Sequence, residues 1–77
     1  MKRSQIFLNC IYEAKQKGTE LFPIDCIEIM ESNYGIARME NMKPKTIYQI
    51  VWDLMGTICD PDSDEITEVV NNWLNAF

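Results

Sequence analysis

The stretch SNYGIARMENMKPKTIYQIVWDLMG, residues 32–56, decides how this chain folds. Pro44 fits the first turn of a helix, where its missing N–H costs nothing. From there Ile47, Ile50, Val51, Leu54 and Met55 recur at three- and four-residue steps, so they share one face. Gly56 can end that helix. Before Pro44, a short helix is expected through NYGIARMEN, with Met42 to Pro44 as the connection.

The same spacing continues outward in both directions. Ile6, Phe7, Cys10, Ile11 and Ala14 follow the helical rule in the first segment, with Ser4 as a possible cap and Gly18 as a stop. TELFP is a connector, and Pro23 opens a second helix, PIDCIEIMES. DPDSDE reads as a turn, and Asp62 with Glu65 three residues later makes a capping box for a fifth helix. That helix places Ile66, Val69, Val70, Trp73 and Phe77 on one side. No segment alternates with a period of two. The expectation is an all-α, compact five-helix single domain spanning residues 1–77.

Bulk properties narrow the chemistry. The chain has 77 residues, 47% of them hydrophobic, which is enough for one small core. Cys10, Cys26 and Cys59 are an odd set without a C-x-x-C pair, so reduced structural thiols are expected rather than a disulfide framework. No apolar run is long enough to span a membrane, and the opening residues are too polar for a signal peptide. A cytoplasmic location is the expectation.

Enzyme chemistry finds little to work with. Histidine is absent, which removes the commonest general base and metal ligand. No serine or cysteine has an evident activating partner, and no glycine-rich phosphate loop occurs. Asp60, Asp62 and Asp64 have the alternate spacing of an EF-hand loop, but Glu65 and Asn71 hold its required glycine and glutamate places. Helix capping accounts for these acids better. Neither a metal nor a cofactor is expected.

Charge divides the chain in two. Residues 1–45 hold all seven basic residues and carry a net charge of +1, whereas residues 46–77 carry −6. The overall charge of −5 therefore belongs to the second half. A polyanion partner remains compatible with it, because the local field at the contact face governs binding.

Two runs carry a family resemblance. CIYEAKQKG is similar to the opening helix of the phage-repressor-like (XRE or Cro-type) helix-turn-helix family. IARMENMKPKTIYQIVWDLMG resembles the glutamate–asparagine run, Lys/Pro turn and amphipathic helix of that family. The resemblance covers nearly the whole chain, with residues 36–56 its specific part. Departures exist: Met30 and Glu31 stand at the usual turn glycine and its neighbour, Gly35 falls within the expected third helix, and Met42 replaces another common glycine.

The resemblance implies a helix-turn-helix at about residues 23–41, reading DNA through helix 32–41. Carried over by position, Ser32, Asn33, Tyr34 and Arg38 would face bases, since Asn suits adenine and Arg suits guanine. Lys43 and Lys45, with Lys15 and Lys17, would hold phosphates. The function implied is a small, dimeric, DNA-binding transcriptional regulator, paired through the last helix with Trp73 and Phe77. Two other readings stay open. Ser32 and Asn33 could simply cap the third helix while Arg38 is solvated. The whole protein could also be an acidic helical inhibitor or adaptor that binds a protein partner, with Tyr48 and Trp52 as either a partner patch or a second packing surface.

Overall fold

The structure, a computed structural model, describes residues 3–76. The Ser4 side chain, expected to cap the first helix, and Phe77 lie outside what is described. Five α-helices follow in order: α1 (Arg3–Lys17), α2 (Pro23–Tyr34), α3 (Ile36–Glu40), α4 (Pro44–Gly56) and α5 (Ser63–Asn75). A single 3-10 turn, Gly18–Glu20, joins α1 to α2, and no strand occurs among the described residues. The fold is all-α.

Each helix is positioned by chemistry visible in its ends. Gly18 adopts φ +63°, a conformation that turns the chain out of α1 without a Cβ clash. Pro23 begins α2, and the Asp25 carboxylate accepts the Phe22 N–H at 2.9 Å, satisfying one otherwise orphaned donor. Asp62 caps α5 by accepting from Asp64 N at 2.9 Å and Glu65 N at 3.1 Å. Its neighbours Asp64 and Glu65 sit in the first turn, where the helix dipole favours negative charge.

The core gathers around α2, which packs against each of the other four helices. Cys26, Ile27 and Met30 of α2 are fully buried, together with Cys10 and Ala14 of α1, Ile47, Val51 and Leu54 of α4, and Ile66 of α5. Met39 is the buried anchor of α3. One expectation about inward faces needs adjustment. Ile50 is half-buried rather than internal. Tyr48 and Trp52 stack with ring centroids 6.1 Å apart, and Tyr48 Oη lies 2.8 Å from Ser63 Oγ, so this pair joins α4 to the start of α5.

The expected third helix is where structure and sequence part. Residues 32–34 are not its beginning but the last turn of α2, which runs unbroken through Met30 and Glu31. The break occurs at Gly35, with φ +88° and ψ 145°. Gly35 N–H donates to Glu31 O at 3.1 Å, closing α2, and Gly35 O accepts from Met39 N–H at 3.1 Å, opening α3. Met30 is a fully buried helical residue, and a left-handed turn there would cost about 1 kcal/mol that glycine avoids. Gly35 is the first residue after it able to take such a backbone at little cost. The turn glycine is therefore present, five residues later than the expected turn at Met30. The consequence is a short α3 of five residues.

Candidate nucleic-acid interface

The break at Gly35 splits the expected reading residues between two helices. Ser32 is exposed on the final turn of α2. Asn33 is half-buried and donates its Nδ2 to Ile29 O at 2.8 Å, one turn back in the same helix. Asn33 is thus bound to its own backbone and neither caps α3 nor points its amide outward. Gly35 occupies the cap position of α3 instead.

Three of the eight expected contact residues meet in one place. Tyr34, Arg38 and Lys43 line an open groove of about 490 Å³ formed by the end of α2, α3 and the start of α4. Arg38 lies over the Tyr34 ring, with its guanidinium carbon 5.9 Å from the ring centroid. That distance is within the range at which a cation is attracted to a ring face. Arg38 and Lys43 are exposed, and among the described residues neither has an ion-pair partner. The groove also holds Asn41 and Thr46 as hydrogen-bonding groups, with Met42 and Ile50 as its apolar lining. No acidic residue lines it.

Sequence reasoning missed Asn41, Met42, Thr46 and Ile50. Their signal was available in the spacing. Asn41 and Met42 follow Arg38 by three and four residues, and Thr46 and Ile50 follow Lys43 by three and seven, all helical intervals.

The other expected phosphate contacts stand apart. Lys45 lines a separate recess with Pro44, Tyr48, Thr67, Val70 and Asn71, where α4 meets α5. Lys17 is 4.0 Å from Asp25 at the opposite end of α2. Asp25 and Tyr34 are nine residues apart on that helix, or ~13 Å at 1.5 Å per residue. Lys15 shares the last turn of α1 with Lys17. The structure therefore does not bring Lys15 and Lys17 into the Arg38–Lys43 groove.

Val69 and Trp73 of α5 line a shallow recess with Ile24 and Asn72. Ile24 is 51% exposed, which leaves apolar surface beside the last helix.

The thiols are protected by their surroundings. Cys10 and Cys26 are fully buried, and burial pushes their pKa values up to about 11 and about 12. Negative charge nearby adds to the rise, from Glu13 at Cys10 and from Asp25 at Cys26. Both are protonated and poorly nucleophilic near neutrality. Among the described residues, no group of three or more His, Cys, Asp or Glu is placed to hold a metal ion. No described helix is long and apolar enough to cross a membrane.

Comparison of the chain with protein-family models, curated proteins and solved structures returned no match.

Proposed function

We propose that the protein is a small DNA-binding transcriptional regulator of phage-repressor type, acting in the cytoplasm without catalytic activity. The observation that carries this reading is the convergence of Arg38 and Lys43 on one groove that no acid lines. Two unpaired cations on a concave edge are suited to phosphate oxygens, which dominate affinity for a duplex. Arg38 alone among the resemblance-derived reading residues is both exposed and held by a neighbour, so base discrimination rests chiefly on it. Ser32 flanks the groove-bearing end of α2 and is assigned to the backbone. A pair of chains joined along α5, with Val69, Trp73 and Ile24 at the contact, would double these few contacts and set the spacing of two half-sites.

A second reading, an acidic helical inhibitor or adaptor, draws support from a different face. Leu8 and Tyr12 stand one turn apart on α1 and are 57% and 67% exposed. Large apolar side chains together at a surface are a common feature of protein contacts.

One variant separates the two. Asp60, Asp64 and Glu68 are exposed and changeable to Asn or Gln, while Asp62 must be kept because it caps α5. The DNA reading expects the triple variant to bind duplex DNA modestly tighter, with a gain that shrinks as salt rises. The adaptor reading expects loss of capture of the native partner by more than about tenfold, with no DNA affinity.

A further inference from the structure

The α2–α3–α4 groove has an apolar lining that a phosphate backbone does not use. Met42 and Ile50 supply it, Tyr34 forms an aromatic wall, and Asn41 and Thr46 offer neutral hydrogen-bonding groups. Its volume of about 490 Å³ gives room for a small planar ligand to lie in the open groove. A paired base in a duplex is stacked above and below and presents only its edge. A straight duplex can lay phosphates on Arg38 and Lys43, yet it cannot cover this lining.

An unpaired base can. Its flat face stacks on an aromatic ring or a guanidinium plane, while its phosphate remains within reach of a second cation. Arg38 is exposed and lies over the Tyr34 ring, so a guanidinium is presented beside an aromatic ring at the groove. Asn41 donates Nδ2 to Ala37 O at 3.0 Å, which fixes that side chain and leaves its Oδ1 to accept.

We propose that this groove binds one unpaired nucleotide, either free or as an unstacked residue of a strand. The base lies against Arg38, Met42 and Ile50, and the phosphate is held by Lys43. The proposal rests on the nucleic-acid reading above and deepens it, because the nucleotide and duplex phosphates compete for the same two cations.

The test is methyl and side-chain amide NMR of the full chain. It is titrated separately with adenosine monophosphate, inorganic phosphate, a short adenine single strand and a duplex of equal length. The Met42 and Ile50 methyls and the Asn41 amide should move with the mononucleotide and the single strand but not with inorganic phosphate. Arg38→Ala and Lys43→Ala, both at exposed positions, should each weaken these two ligands by ~tenfold. Added duplex should displace the mononucleotide. Still methyls under both unpaired ligands, while the duplex binds, would overturn the pocket and leave the DNA reading intact. Equal shifts with inorganic phosphate would also overturn it, leaving a plain anion contact. A groove filled by the mononucleotide with no duplex binding would uphold the pocket and remove the duplex reading. Silence under all four ligands would overturn both.

Discussion

Arg38 reaches back across the Gly35 turn to lie over Tyr34, its guanidinium carbon 5.9 Å from the ring centroid. The pair ties α3 to the end of α2 and holds the one long cation of α3 at the groove. Lys43, at the cap of α4, has no such support. The two cations should therefore fail differently. Arg38→Ala should cost ~1–3 kcal/mol on a preferred duplex and relax sequence preference. Lys43→Ala should weaken all sequences alike and reduce the salt slope by about one. Competition binding with matched and scrambled duplexes reads both. Sequence-blind effects of equal size would make Arg38 a backbone contact.

The glycines separate in the same way. Gly35, at φ +88° and ψ 145°, occupies backbone essentially reserved for glycine, although a Cβ there would meet nothing within 4 Å. Gly35→Ala should destabilise by ~1–3 kcal/mol through the backbone alone. Gly56 ends α4 in helical geometry with equally open space, so Gly56→Ala should be neutral or stabilising by up to ~1 kcal/mol. Urea denaturation of both variants checks the contrast, and equal losses would place the helix break elsewhere.

Adjacent residues on α4 give a third test. Val51 is fully buried, whereas Ile50 is half-buried at the groove. Val51→Asp strands a charge in the core and should unfold the protein, since several kcal/mol is most of a small domain's stability. Ile50→Asp leaves its carboxylate in water and should stay folded by circular dichroism while losing nucleic-acid binding. An unfolded Ile50→Asp protein would contradict the groove's placement.

Much of the fold was legible because burial follows helical period. Ile47, Val51, Leu54 and Met55 mark α4 between Pro44 and Gly56, and Asp62 marks the start of α5, each by a local rule. The register of the second and third helices was not. The resemblance places the turn at Met30, but Met30 is buried inside a continuous α2, and Gly35 carries the positive φ of the actual break. Asn33 shows the same limit, because nothing in its type says whether its amide turns outward or back to Ile29. Ile50 belongs to the α4 stripe by period, yet it is half-buried and lines the groove. The groove forms where the end of α2, α3 and the start of α4 meet, a tertiary fact that residue spacing alone does not contain.

Alkaline pH should expose the buried thiols. The ordinary pKa of 9.0 rises to about 11 at Cys10 and about 12 at Cys26, so the folded state holds those protons longer than the unfolded chain. Stability from this source is full below pH 9.0 and is lost as pH climbs through the raised values. Denaturation at a series of alkaline pH values should show a steeper fall for the natural chain than for a Cys10→Ala/Cys26→Ala variant. Identical slopes would mean that these thiols are not buried as described. Near neutrality, half-buried Cys59 should be the first to react with a thiol reagent.

The most direct measurement is binding of random-sequence duplex DNA across a range of salt, for the natural chain and for an Arg38→Ala/Lys43→Ala double variant. Binding is expected at low salt and should fall as salt rises, with the double variant weaker and its salt slope shallower by about two. No binding of the natural chain at low salt, or equal binding by the double variant, would contradict the DNA reading.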